Sequence, residues 1–129
     1  MEHPLGFDPD DPLLARVRGV ALGLPGAAEK LSHGTVAFYT RKVFAYFSGS
    51  CKVEGVWVRH PRSVMLYADL DGQAVLRSLP HSYVPGYLGG YGWTGLDLSP
   101  EPDWAELTDF IQRSYVLTAP PALVREFRG

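Results

Sequence analysis

The chain predicts an α+β fold, with a mainly antiparallel sheet and helices packed on one of its faces. Three observations point there. Amphipathic segments at helical spacing stand near both ends, over residues 13–24 and 104–115. Between them lie short runs rich in β-branched and aromatic residues, separated by turn signals. No strand–helix–strand unit repeats, so hairpins rather than parallel crossovers build the sheet.

Residues 1–10 read as a flexible lead-in, and residues 11–129 as a single domain. Asp11 before Pro12 is a helix start: a carboxylate caps free amides, and proline's missing N–H costs nothing there. Leu13, Val17, Val20 and Leu24 recur on one face until Pro25-Gly26 ends the helix. Residues 35–40 and 43–48 form two strands with a tight turn at Arg41-Lys42. A third strand over 53–59 is expected to break at His60-Pro61, with a fourth over 63–68. Asp69 caps a short helix over 70–79, stopped by Pro80. Residues 82–84 and 93–98 are the last strands, joined through a loop of interleaved glycines and aromatics. Asp103 and Glu106 have capping-box spacing, and Trp104, Leu107, Ile111 and Tyr115 continue one apolar face. A final helix over 122–127 follows Pro120-Pro121. The expected core comprises Val36, Phe38, Phe44, Leu66, Trp93 and Leu96 of the strands with Trp104, Leu107, Ile111 and Tyr115 of the long helix.

A chain of 129 residues is one domain, able to bury roughly two-thirds of its unfolded surface. No apolar run approaches the roughly 20 residues that span a bilayer, and Asp8, Asp10 and Asp11 make the start unlike a signal peptide. Cys51 is the only cysteine, which excludes an intrachain disulfide and a cysteine-rich metal site. A cytoplasmic protein without a membrane partner is expected. The net charge of −2 hides two opposed strips. Arg41, Lys42, Lys52, Arg59 and Arg62 face Glu54 alone, whereas residues 97–109 hold five carboxylates and no cation. A local basic strip can bind phosphate without the whole protein being basic.

His33-Gly34 is the leading candidate for a functional position, since an imidazole beside a glycine can donate to a ligand while backbone N–H groups stay open. The same pair also suits a plain turn, in which glycine supplies an unusual φ. Lys42 can hold a phosphate or carboxylate at its turn. Tyr87, Tyr91 and Trp93 can stack on a base or close a pocket, although Trp93 opens an apolar strand and also fits a core. Catalysis has less support. There is no glycine-flanked nucleophile elbow and no spacing that builds a triad. His3, His33, His60 and His81 lack metal-ligand spacing, and the glycines at 86–95 fit no phosphate-loop or dinucleotide fingerprint. No cofactor or metal is expected.

Leu24-Pro25-Gly26-Ala27-Ala28-Glu29, Ser32-His33-Gly34, Ala37-Phe38-Tyr39 and Lys42-Val43-Phe44-Ala45 together resemble the MmcQ/YjbR-like family. So do Pro85, Tyr87 and Gly89, then Gly92-Trp93-Thr94-Gly95-Leu96-Asp97-Leu98, and Arg113-Ser114-Tyr115 followed by Ala119-Pro120. The resemblance runs from about Leu13 to Pro120 and rests on the order of the motifs. It implies a CyaY-like (frataxin-like) two-layer α/β sandwich, and a DNA-binding role suggested for such proteins on fold grounds. Frataxin-like iron binding resembles an acidic ridge on the first helix; here Asp8, Asp10 and Asp11 precede the helix, whose body carries Arg16 and Arg18.

The expected function is therefore a small binding module. One reading is nucleic-acid binding through a basic hairpin face of Arg41, Lys42, Lys52, Arg59 and Arg62. The other is a pocket, which could belong to an enzyme, for a small anionic or aromatic molecule around His33, Gly34 and the loop 85–95.

Overall fold

In the computed structural model, which describes residues 4–129, helices α1 (Pro12–Leu22), α2 (Leu70–Arg77) and α3 (Trp104–Thr118) each start on an aspartate, and α4 (Pro121–Arg128) follows. Asp11 accepts from the Leu13 N–H, Asp69 from Gly72 and Asp103 from Glu106, answering amides that a first helical turn leaves unpaired. The strands are β1 (Ala28–Ser32), β2 (Thr35–Tyr39), β3 (Val43–Val53), β4 (Val56–Tyr67), β5 (Ser82–Tyr83) and β6 (Trp93–Asp97), with a 3₁₀ turn over Leu88–Tyr91. They form one sheet in the order β1-β2-β3-β4-β6-β5, antiparallel at every pair. The α+β arrangement expected from the sequence is the one observed.

Several details differ from expectation. The strand β1 was not anticipated because Ala28-Glu29-Lys30 lacks strand formers; it holds the sheet edge, where Arg18 of α1 grips Glu29 at 2.6 and 3.1 Å. The break expected at His60-Pro61 is instead an irregularity within one continuous β4. Register passes from Phe47↔Val64 to Gly49↔His60, so Ser48 stands against Pro61, Arg62 and Ser63. A proline lacks the N–H of a regular ladder, and a bulge is where a strand tolerates it. The lead-in also contributes to the fold: Phe7 is buried edge-on against Phe47, 6.1 Å between ring centroids, while residues 1–3 of that call lie outside the described residues.

One face of the sheet carries the helices. Leu14, Val17 and Ala21 of α1 and Leu107, Ile111 and Tyr115 of α3 share a buried core with Phe38, Phe44, Phe47, Val64, Leu66 and Leu96. Two polar ties fix the layer. Ser114 donates to the Phe44 carbonyl at 2.6 Å and accepts from the Tyr67 N–H at 3.1 Å, so α3 clamps β3 to β4 where their ladder ends. The Tyr115 hydroxyl donates to the Pro25 carbonyl at 2.7 Å, and burial pushes its pKa up. Trp104, expected in the core, is only partly buried: it packs at the rim beneath the Arg16 guanidinium, 4.4 Å from its ring.

The other face is an aromatic layer without helices. Trp93, also expected in the helix-side core, belongs here, because the pleat sends Thr94 and Leu96 inward and Trp93 outward. It lies between Tyr46 and Tyr67 at 5.1 and 5.9 Å. Tyr83 lies directly over Gly95, where any Cβ would run into its ring.

Truncating a helix-side contact tests the packing. Leu107→Ala and Ile111→Ala should each cost roughly 2–5 kcal/mol in denaturant unfolding; costs near zero would refute the assigned α3 face. A second test concerns Asp11, whose carboxylate the Arg62 guanidinium holds below the usual range against the opposing effect of burial. A depressed folded pKa adds stability above the unfolded value, about 3.9, and loses it as pH falls through the folded one. Asp11→Asn should therefore lower the melting temperature at pH 7, with the gap to wild type closing below about pH 4. A gap unchanged down to pH 2 would show that the ion pair is not its source.

Candidate functional site

The site is built on the stretch of β3 that β2 does not cover. Pairing with β2 ends at Val36↔Phe47, leaving the edge of β3 beyond Phe47 open on that side. Two other segments close in on it. Gly86 of the glycine-aromatic loop donates its N–H to the Ser50 carbonyl at 3.0 Å. From the other side, Gly6 donates to the Gly34 carbonyl at 2.9 Å, and Ser48 Oγ donates to the Gly6 carbonyl at 3.1 Å. Between these walls lies a cleft of about 600 Å³, lined by His33, Gly34, Tyr46, Ser50, Arg59 and Tyr87 among others.

The cleft's geometry follows from two-residue turns. His33 and Gly34 join β1 to β2 with φ of 52° and 82°, the twin left-handed conformation that matches hairpin twist. A Cβ on Gly34 would meet the Pro4 carbonyl, so glycine is required both for its φ and for that approach. Glu54 and Gly55 repeat the device at the tip of the β3–β4 arm, with φ of 51° and 80°. The arm brings Arg59 to the cleft and Trp57 to its rim, where the Trp57 ring lies 5.6 Å from that of Tyr87. Lys52 Nζ sits 5.3 Å from the Trp57 ring, completing a line of cation and two aromatics. Tyr87 is 83% exposed and sits at φ 60°, a conformation that bulky residues rarely adopt.

Chemically the cleft offers donors and positive charge. Arg59 is cationic, and His33, Ser32, Tyr46 and Ser50 line the same cleft, while Thr35 and Ser48 donate their hydroxyls to the Ser32 and Gly6 carbonyls. Burial pushes the Tyr46 phenol up, so it remains a neutral donor. Among the described residues no aspartate or glutamate lines the cleft. Nor, among them, do three His, Cys, Asp or Glu side chains form a metal-holding group.

The candidates from sequence divide. His33, Gly34, Arg59 and Tyr87 line this one cleft, and Lys52 stands beside it. Arg41 and Lys42 occupy the β2–β3 turn at the opposite end of β3, roughly 30 Å from Lys52 at the rise of an extended strand. Arg62 donates to Asp11 through Nε and Nη2, at 2.9 and 3.1 Å, and holds the start of α1. Tyr91 is exposed in the 3₁₀ turn and Trp93 is buried in the aromatic layer; neither lines the cleft. The five basic residues therefore do not form one contiguous patch. Tyr46, Ser50 and Trp57 were missed. A tryptophan among Lys52, Glu54 and Arg59 on an otherwise polar arm was the available signal for Trp57; Tyr46 and Ser50 had none.

Among the described residues, no helix is long and apolar enough to cross a membrane. Comparison with solved structures finds a crystal structure of Deinococcus radiodurans protein DR2400, whose family model is DUF419. It superposes with a TM-score of 0.62 at 18% identity, covering 89% of this chain and 84% of that one, which is likeness of fold. No curated protein matches significantly. The family model described as YjbR matches residues 22–117, most of the chain from the end of α1 through nearly all of α3. The chain belongs to the YjbR family.

Proposed function

We propose that this YjbR-family protein is a binding module whose cleft takes a small anionic molecule carrying a flat ring, such as a mononucleotide or an aromatic acid. The observation that carries this reading is that His33, Arg59, Ser32, Tyr46 and Ser50 line one cleft with no carboxylate among its described lining residues. Arg59 is suited to a phosphate or carboxylate, which it can grip with paired donors. Tyr87 and Trp57 at the rim supply flat faces for a ring. A volume of about 600 Å³ lies within the range of small-molecule sites.

Single-stranded nucleic acid is the second reading, favoured by the line of Lys52, Trp57 and Tyr87, which joins a cation to stacking surfaces. Arg41, Lys42 and Arg62 add little to it, being distant or engaged with Asp11.

Thermal shift and calorimetry with AMP, 4-hydroxybenzoate, inorganic phosphate and a short oligothymidylate separate the two readings. Under the cleft reading, AMP or 4-hydroxybenzoate stabilises the wild type. His33→Ala should then lose about 0.5–1.5 kcal/mol of binding and Arg59→Ala about 1.5–3 kcal/mol. The nucleic-acid reading predicts oligonucleotide binding that falls steeply with salt, ignores His33→Ala and disappears when Lys52 and Arg59 are both reversed to glutamate. If neither small molecule shifts the wild type at millimolar concentration, the cleft reading is wrong.

A further inference from the structure

Separate from that reading, side chains from three strands stand in line on the outer face of the sheet. His60 Nδ1 on β4 lies 2.9 Å from Asp97 Oδ1 on β6, and His60 Nε2 lies 3.3 Å from Cys51 Sγ on β3. A carboxylate only accepts, so Nδ1 carries the ring proton and Nε2 turns its lone pair to the thiol. The ring is held from its face as well. It stacks on Tyr83 at 3.7 Å between centroids and 9° between planes. The Tyr83 hydroxyl donates to Ser63 Oγ at 2.7 Å, and Ser63 Oγ donates to the His60 carbonyl at 2.7 Å.

A thiol that only fills space needs no such support, because buried cysteine behaves as a small hydrophobe. This arrangement has the order of an activated nucleophile: thiol, base, and a third group orienting the base. Cys51 and His60 meet diagonally across the regular arm of the hairpin, and Asp97 reaches His60 from β6, which pairs with β4 on the other side of the register break.

We propose that Cys51 is a nucleophilic thiol, deprotonated by His60 with Asp97 as the positioning residue, which exchanges with low-molecular-mass disulfides. This chemistry needs a thiolate and a leaving sulfur but no oxyanion pocket. The Cys51 proton passes to His60 Nε2, and Sγ attacks one sulfur of the disulfide. The S–S bond breaks, and the departing thiolate takes the proton back from the imidazolium. One thiol and one disulfide give one mixed disulfide and one thiol; Cys51 is oxidised and the released sulfur reduced. Cys51 is 7% exposed, which selects small, linear partners. Met65, which belongs to the same buried cluster as Cys51, also lines the cleft. The titratable groups around His60 are Cys51, Tyr83 and Asp97, and burial keeps the Tyr83 hydroxyl neutral.

The probe is bis(2-hydroxyethyl) disulfide, with mixed-disulfide formation followed by intact mass between pH 5 and 9. Folding of each variant is checked by circular dichroism. The native wild type should react faster at pH 7 than its urea-unfolded chain, and Cys51→Ser should gain no mass. His60→Gln and Asp97→Asn should react roughly tenfold or more slowly than wild type, and Asp97→Asn should move the pH midpoint upward. If His60→Gln does not fold, Asp97→Asn, whose carboxylate is partly exposed, carries the comparison. A smaller loss in the folded variants, or a native rate below that of the unfolded chain, overturns the proposal.

Discussion

The register break between β3 and β4 is the constraint from which the outer face of this sheet follows. Val64 faces the helices and His60 stacks on Tyr83, yet the two are four residues apart and would share a face in a regular strand. Pro61, Arg62 and Ser63 opposite Ser48 reset the alternation. The break turns Arg62 toward Asp11 and His60 toward Tyr83, and a bulged strand bends and twists more strongly than a regular one. Beyond it the arm leaves β2 and meets the glycine-aromatic loop instead, through Gly86 and Ser50. The cleft and the Cys51–His60–Asp97 line both depend on that departure.

The two faces of the sheet are held by different physics. On the helix side, interlocked aliphatic and aromatic side chains exclude water, and the buried hydroxyls of Ser114 and Tyr115 are bonded to backbone carbonyls. Such packing leaves little freedom. The outer side is covered by loops and by flat rings, and loops fixed on a rigid scaffold are where proteins place their ligands. Asp11 links the two regimes: it caps α1 through the Leu13 N–H and receives Arg62 from the strand that carries the break.

The helices were legible in the sequence because caps and apolar spacing agree there. Asp11, Asp69 and Asp103 each do what an aspartate before an apolar period does. The β2–β3 hairpin was legible because two runs of β-branched and aromatic residues flank the Arg41-Lys42 turn. What escaped depended on distant partners. The edge strand β1 has an ordinary composition and is held by Arg18 and by pairing with β2. The turn at Glu54-Gly55 lies inside a run that otherwise reads as strand, and Pro61 reads as a stop unless the bulge opposite it is known. Of the site, His33, Gly34, Arg59 and Tyr87 were named from residue type, but their convergence belongs to the fold. Charge clustering along the sequence misled for a physical reason: β3 is long enough to carry Lys42 and Lys52 to opposite ends of the sheet.

The wall of the cleft formed by Pro4 and Gly6 is separable from the rest of the fold. The shared YjbR region covers residues 22–117, which supply the floor, the turn at His33-Gly34 and the rim at Tyr87. The segment that shuts the end beside Gly34 comes from ahead of that region. One mouth of the cavity is thus shaped by chain ahead of the matched region. Changing a few of those leading residues would alter what this cleft admits while leaving the sheet, its register and its helices as they are.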